Sequence, residues 1–158
     1  MRRVVSNTTP LIAFAQQDRL DVPGALYGEV VVPRAVVDEV VSEPARSRVR
    51  SARWIRVEAV PEGADRRMFS SRLHAGEVEV MLLALERGAD LVIMDDNAAK
   101  KTAKFLGLRV TGTLGVLLRA KREGVVPSVA GLLDAFVADG LYVTDGLRRL
   151  VLEQAGEA

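Results

Sequence analysis

The 158-residue chain has no cysteine and a single histidine, and aromatic residues make up only 4% of it. The lack of cysteine excludes a disulfide framework, a thiolate nucleophile and a cysteine-ligated metal site. One histidine excludes zinc sites that are built on several histidines. Chemistry that needs neither side chain therefore suits this sequence best.

Neither sign of charge dominates, since 22 Lys and Arg residues face 21 Asp and Glu residues and the net charge is +1. A strong global attraction to nucleic acid is not expected, and any basic surface must be local. No run approaches the roughly 18 apolar residues of a membrane span. The apolar stretch after "MRRVV" is broken by "SNTTP" before it reaches the length of a signal peptide. We therefore expect a cytoplasmic protein without a membrane partner.

Length and a hydrophobic fraction of 49% predict one domain over residues 1–158. Short β-branched runs alternate with helical patterns, which is typical of βαβ units. The predicted strands lie at 3–5, 30–32, 54–59, 91–94 and 108–110, with a weaker one at 141–143. The predicted helices lie at 33–43, 75–88, 97–107, 113–124, 129–140 and 145–154. The sequence thus predicts a three-layer α/β/α fold around a central, mostly parallel sheet.

Polar clusters follow three of the predicted strands, at residues 6–9, 95–97 and 111–113. The carboxyl ends of strands form the edge at which open parallel sheets bind ligands. Each cluster has an ordinary alternative, because Asp, Asn, Ser and Thr are preferred helix N-caps. A capping side chain is also well placed to hold an ion, so the two interpretations do not exclude each other.

Two glutamates lie on predicted helices near these clusters. Glu39 borders the valine stripe of the helix at 33–43, and Glu77 lies in the first turn of the helix at 75–88. A carboxylate in a first turn is stabilised by the helix dipole by a few tenths of a kcal/mol. Glu77 therefore either belongs to a functional site or only stabilises its helix. Gly76 costs about 1 kcal/mol in a helix relative to alanine, which indicates a close approach of backbone or substrate.

Basic residues are concentrated in two places. Arginines are frequent between residues 46 and 56, with Trp54 among them; they either contact RNA or form a solvated face with Trp54 in the core, and we favour the second. Three lysines follow the aspartate pair and either bind phosphates or lie in solvent. His74 is interpreted as a surface residue. "TGTLG" lacks the lysine of a P-loop and the third glycine of a dinucleotide fingerprint.

The combination of these features resembles the PIN-domain ribonucleases, the fold of VapC-like toxins. The matching stretches are "VVSNTTPLIAFAQQDRLDV", "VVVPRAVVDEVV", "HAGEVEVMLLALERGADLVIMDDNAAKKTAKFLGLRVTGTLGVLLRAKREG" and "GLYVTDGLRRLVLEQAGE". The third stretch is the most specific, because glycine-glutamate, strand, aspartate pair and "GTLG" follow in the order of an uncharacterised PIN-like branch. Members of that branch are encoded next to small antitoxin-like proteins.

The resemblance implies a metal-dependent endoribonuclease that hydrolyses RNA phosphodiesters, with Glu39, Glu77 and Asp96 as catalytic residues. Divalent ions activate water and stabilise the transition state of this reaction, and Mg²⁺ or Mn²⁺ prefers oxygen ligands. The implied metal ligands are Asn7, Glu39, Glu77, Asp95 and Asp96, supported by the polar residues Ser6, Thr8, Thr111 and Thr113. The residues expected to bind RNA are Lys100, Lys101 and Lys104. The implied partners are single-stranded or structured RNA, a small antitoxin protein and a second copy in a homodimer.

Asn7 is the departure from the family pattern, because most PIN nucleases have aspartate there. An amide oxygen coordinates a hard cation or positions a water, but it brings no charge. The alternative is therefore a catalytically degenerate module that binds RNA or a protein without cutting. A receiver-like signalling domain would also use an acidic pair after a strand, but it leaves Glu39 and Glu77 unexplained.

Overall fold

The computed structural model describes residues 3–158, and five parallel strands run through their centre. The strands are β1 (Val4–Ser6), β2 (Val30–Pro33), β3 (Ile55–Glu58), β4 (Leu91–Ile93) and β5 (Val110–Thr111). Their order across the sheet is β3-β2-β1-β4-β5, and every neighbouring pair is parallel. The predicted α/β/α fold is confirmed, with a sheet that is parallel throughout.

Helices flank this sheet and connect its strands. They are α1 (Thr8–Gln16), α2 (Asp21–Tyr27), α3 (Arg34–Asp38), α4 (Ala45–Ser51), α5 (Ala75–Arg87), α6 (Asn97–Phe105), α7 (Thr113–Arg122), α8 (Ala130–Ala138) and α9 (Asp145–Gln154). Within residues 3–158, none of them is long and apolar enough to cross a membrane.

The central strand β1 is the most protected part of the sheet. Val4 and Val5 are each 1% exposed, as expected of a strand in a parallel sheet that is covered on both faces. The rings of Phe14 on α1 and Phe136 on α8 pack edge to face, with centroids 5.1 Å apart. The buried core thus fixes β1 and α1, and with them the loop between the two.

Two sequence predictions are wrong in this region of the fold. The helix predicted at 33–43 ends at Asp38, and the chain then turns before α4 begins at Ala45. The N–H groups of Glu39 and Val40 bond to the carbonyls three residues back, on Val36 and Val37, so the last turn tightens and the helix ends there. The segment at 141–143 forms no strand and follows α8 as an irregular connection.

The helices α2 and α4 were not predicted, and they account for Trp54 and part of the arginine run. Trp54 is half-buried against α2, where a Cβ at Gly24 would lie 2.9 Å from its Nε1 atom. Arg48 donates a hydrogen bond of 2.8 Å to the carbonyl of Ala15 at the end of α1. These contacts are intramolecular, in agreement with the favoured interpretation.

Glu157 fastens the end of the chain to the start of α8. Its carboxylate accepts hydrogen bonds from the backbone N–H groups of Val129 and Ala130, at 2.8 and 3.2 Å, and from Lys121 Nζ at 3.0 Å. These donors, Val129 foremost, hold the pKa of Glu157 below its ordinary value. Its contribution to stability is therefore present above the unfolded-state pKa and is lost as the pH falls through the lower folded-state pKa.

We expect Glu157→Gln to lower the melting temperature at neutral pH, because the charge that favours these donors is removed. The difference from the wild type should shrink in acid, where the wild-type carboxyl group is itself protonated. Thermal unfolding by circular dichroism over a series of pH values measures both effects. Glu153→Gln, an exposed change on α9, is the control; the same pH dependence in both variants would contradict the assignment.

Candidate active site

A cleft of about 420 Å³ opens at the carboxyl edge of the sheet, beside the ends of β1 and β4. Its lining comes from four separate parts of the chain. The lining residues are Asn7, Thr8, Thr9, Glu39, His74, Glu77 and Asp96. Open parallel sheets bind ligands at this edge, where the strand order reverses.

Asn7 connects β1 to α1 and helps to fix the edge of the sheet. Its backbone N–H donates to the carbonyl of Ile93 at 2.9 Å, which extends the pairing of β1 with β4. Its own carbonyl accepts a hydrogen bond of 3.0 Å from the buried Ser6 hydroxyl. Asn7 is the N-cap of α1 by backbone geometry, but its side chain makes no capping bond. The carboxamide is therefore left to the cleft.

Glu39 lies directly after α3, between the first turns of α1 and α5. The Thr8 hydroxyl donates to Glu39 Oε2 at 3.0 Å. On the other side, a Cβ at Gly76 would lie only 2.7 Å from Glu39 Oε1. Glycine at residue 76 is thus what allows this carboxylate to lie against α5. The sequence indicated a close approach of backbone or substrate here, and in the structure a side chain makes it.

Glu77 and Asp96 are each held at the start of a helix. Glu77 is 4% exposed, and its Oε1 atom accepts a hydrogen bond of 2.9 Å from the His74 backbone N–H. Asp96 is the N-cap of α6, and its Oδ1 atom accepts from the Ala99 N–H at 2.9 Å. Carboxylates at these positions are stabilised by the helix dipole.

One carboxylate oxygen of each acidic residue in the cleft is used by the fold, and the other is not. Within residues 3–158, Glu39 Oε1, Glu77 Oε2 and Asp96 Oδ2 have no hydrogen-bond partner. Glu39 and Asp96 are exposed, and the Oε2 atom of the buried Glu77 still reaches the surface. The fold therefore orients each side chain through one oxygen and leaves the second accessible.

Asp95 is placed differently from its neighbour. Its Oδ1 atom accepts from the Thr113 N–H at 2.8 Å, and its Oδ2 atom accepts from the Thr113 hydroxyl at 2.6 Å. Both oxygens thus tie β4 to the start of α7, and Asp95 does not line the cleft. A Cβ at Gly112 would lie 2.6 Å from Asp95 Oδ1, so the "TGT" turn approaches this carboxylate closely.

The remaining polar and basic residues that the sequence assigned to the site do not line the cleft. Ser6 and Thr113 are fully buried, and Thr111 lines a separate cavity of about 580 Å³ with Lys121. The residues Lys100, Lys101 and Lys104 lie on α6, whose first turn is capped by Asp96, and within the described chain none of them forms an ion pair.

The sequence did not assign two of the lining residues to the site. His74, the N-cap of α5, is exposed, as its interpretation as a surface residue expects, and it also lines the cleft. Its position three residues before Glu77 was the available signal. Thr9 gave no signal beyond its place in the polar cluster. Over residues 3–158, no three His, Asp or Glu side chains lie close enough to form a ready metal site.

Fold and cleft together define a three-layer α/β/α domain with an acidic, oxygen-rich cleft at the carboxyl edge of a parallel sheet. A family model described as a PIN domain matches residues 3–157, and the chain belongs to this PIN-domain family. PIN domains are in general nucleases and typically use divalent metal ions. No curated protein matches the chain.

We expect Gly76→Ala to disturb the cleft without unfolding the protein. The new Cβ would press on the end of a flexible side chain, so Glu39 turns away at little cost to the fold, and alanine favours the helix by about 1 kcal/mol. We expect Mn²⁺ affinity, measured by calorimetry, to fall about tenfold, the effect of roughly 1.4 kcal/mol.

Gly131→Ala is the matched control, because it also lies in a helix and a Cβ there would meet no atom within 4 Å. It should gain the same helix stability and bind Mn²⁺ like the wild type. Equal Mn²⁺ affinity in the two variants would show that the approach of Glu39 to α5 is irrelevant to metal binding.

Proposed function

We propose that this chain is a metal-dependent endoribonuclease that hydrolyses RNA phosphodiesters. The supporting observation is that Glu39, Glu77 and Asp96, with the amide of Asn7, line one cleft although they are distant in the sequence. Membership of the PIN-domain family supports the same reaction class. Glu39, Glu77 and Asp96 are the proposed catalytic residues.

The side chains of Asn7, Glu39, Glu77 and Asp96 suit Mg²⁺ or Mn²⁺, because they offer one amide oxygen and the oxygens of three carboxylates. Asn7, Glu39, Glu77 and Asp96 would hold the ion. A divalent ion supplies an activated water and stabilises negative charge on the phosphate. The acidic side chains lie too far apart to share one ion as they stand, so binding requires them to draw together.

The residues have different parts in this proposal. Glu77 is the fixed member, because it is buried and bonded to the His74 N–H. Glu39 and Asp96 are exposed, so their side chains can rotate toward an ion. The carboxylate oxygen that the fold does not use in each of them is also proposed to orient a water beside the phosphate. Asp95 and Thr113, bonded to each other, hold the loop that presents Asp96.

The proposed substrate is single-stranded or structured RNA, and the three lysines of α6 are the proposed phosphate contacts. They have no competing ion pairs in the described chain, and their helix begins at the cleft. The resemblance to VapC-like toxins further suggests a toxin that pairs with a small antitoxin protein, forms a homodimer and acts in the cytoplasm. These remain proposals that rest on the resemblance.

Asn7 favours a second candidate function, a degenerate PIN-like module that binds RNA or a protein without cutting. The amide of Asn7 contributes no charge. Asp95, which precedes Asp96, does not supply the missing charge, because both of its carboxylate oxygens are bonded to Thr113. Weaker ion binding in such a cleft would leave the nucleic-acid surface intact and remove the reaction.

Cleavage of single-stranded RNA in the presence of Mn²⁺ or Mg²⁺ tests the enzyme directly. We expect Glu77→Gln and Asp96→Asn each to lower the rate at least about a hundredfold, since both remove a charge on which ion binding depends. Both amides can still accept the hydrogen bonds from His74 and Ala99, so the fold should persist.

Glu123→Gln, a surface change at the end of α7, is the control and should cleave like the wild type. Cleavage that survives EDTA, or that is equal in all four proteins, would contradict the proposal. RNA binding without cleavage by the wild type in any divalent ion would favour the degenerate module.

Asn7→Asp adds a fourth carboxylate to the cleft. We expect Mn²⁺ to bind about tenfold more tightly, because affinity for hard cations rises with the charge of the ligands. Without metal, the melting temperature should fall, since the added charge repels the other carboxylates. Calorimetry and thermal unfolding with and without Mn²⁺ measure the two effects. Gln154→Glu adds the same charge at an exposed residue of α9, outside the cleft lining, and should leave the Mn²⁺ affinity unchanged; unchanged affinity in Asn7→Asp would exclude Asn7 from the metal shell.

A further inference from the structure

A groove of about 360 Å³ continues from the candidate cleft along α1. Thr9 lines both the cleft and this groove, which places the two side by side. On the other wall lie the end of α8 and the connection that follows it, including Tyr142. We call this feature the Tyr142 groove.

Tyr142 is unusually exposed for an aromatic residue. Its accessibility is 85%, and within residues 3–158 its hydroxyl has no hydrogen-bond partner. Tyrosine rings bury large areas when they have a surface to pack on, so an uncovered ring at the rim of a groove is available to a ligand. The ring therefore offers a flat face next to a proposed reaction site.

The floor of the Tyr142 groove is apolar and packs on the buried core. Ile12 and Ala13 come from α1, and the buried Phe136 is braced from below by Phe14. No lysine or arginine is among the described residues that line it, and its one carboxylate, Asp139, is hydrogen-bonded to Gln17. A phosphate is disfavoured here, whereas the uncharged, flat face of a nucleobase fits.

We propose that the Tyr142 groove binds a nucleobase of the RNA substrate, which stacks on the Tyr142 ring while the adjoining phosphate enters the cleft beside Thr9. This inference rests on the proposed function and names a subsite for its substrate. Aromatic side chains bind bases of single-stranded RNA by stacking, with little dependence on sequence. Stacking requires unpaired bases, so the subsite selects single-stranded segments.

One face of α1 leads from the cleft into the Tyr142 groove. Thr9, Ile12, Ala13 and Gln16 follow at helical spacing and line it together. The helix rises 1.5 Å per residue, so this face extends about 10 Å from the cleft. It can therefore accommodate a base next to the reacting phosphate.

Binding of RNA can be tested without cleavage. The probe is a fluorescein-labelled single-stranded RNA of about twelve nucleotides, followed by anisotropy with Ca²⁺ in place of Mg²⁺, and its integrity is checked on a gel. We expect Tyr142→Ala to weaken binding roughly fivefold to tenfold, the lower end of the range for base stacking. Tyr142→Phe should bind like the wild type, because it keeps the ring. Leu147→Ala, an exposed change on α9, controls for altered packing.

Abasic nucleotides locate the base. Removing the base that occupies the groove should weaken binding to the wild type and should have no further effect on Tyr142→Ala. Equal affinity of Tyr142→Ala and wild type, or an equal loss in Tyr142→Phe, would overturn the subsite, as would a wild type that binds no single-stranded RNA. If Tyr142→Ala kept its affinity for RNA and lost binding to a protein partner, the groove would belong to that partner and the RNA subsite would be refuted.

The outcome separates this inference from the nuclease proposal. Binding that depends on Tyr142, with no cleavage in Mg²⁺ or Mn²⁺, would uphold the subsite and refute the enzyme. Cleavage that is abolished by Glu77→Gln but unaffected by Tyr142→Ala, with unchanged RNA affinity, would uphold the enzyme and refute the subsite.

Discussion

The hydrogen bond from the Asn7 N–H to the Ile93 carbonyl, 2.9 Å long, is the contact on which the candidate site depends. It extends the pairing of β1 and β4 by one residue beyond Ser6, at the point where the strand order changes direction. Chain connections leave this point toward opposite edges of the sheet, which opens a crevice between them. Glu39 follows β2 and Asp96 follows β4, the two strands that pair with β1, so both residues reach this crevice.

The sequence was most informative where burial decides the structure. Strands of a parallel sheet that is covered on both faces are nearly continuous runs of β-branched residues, so β1, β2 and β4 could be located closely. The same reasoning failed at 141–143, because a strand also needs a partner, and composition does not show whether an edge is available. It also extended α3 past Asp38, because the valine stripe continues to Val41 in the sequence, whereas Val41 is exposed in the structure and the helix has already ended.

Most residues that line the candidate cleft could be named from the sequence, but the hydrogen bonds that hold them could not. Asp95 and Asp96 are neighbours of the same type, yet one is bonded to Thr113 and the other faces the cleft. Side chains that follow a strand point to alternate sides, and only the position of α7 decides which one is captured. The bond between Thr8 and Glu39 likewise joins residues that are far apart in the chain, which no local pattern reveals.

Three helices begin at the cleft, and their N-termini explain how its carboxylates are held without an ion. Glu77 accepts a hydrogen bond from the N–H of His74, the N-cap of α5, and Asp96 accepts one from the N–H of Ala99 in α6. Glu39 accepts one from the hydroxyl of Thr8, the first residue of α1. Each N-terminus carries roughly half a positive charge, so together they offset about half of the negative charge of three carboxylates. The neutral amide of Asn7 adds no negative charge to the half that is not offset. An amide in place of a carboxylate at Asn7 therefore reduces charge repulsion in the metal-free cleft, and it also lowers the attraction of the cleft for a cation. The balance between these two effects decides whether this PIN domain cuts or only binds.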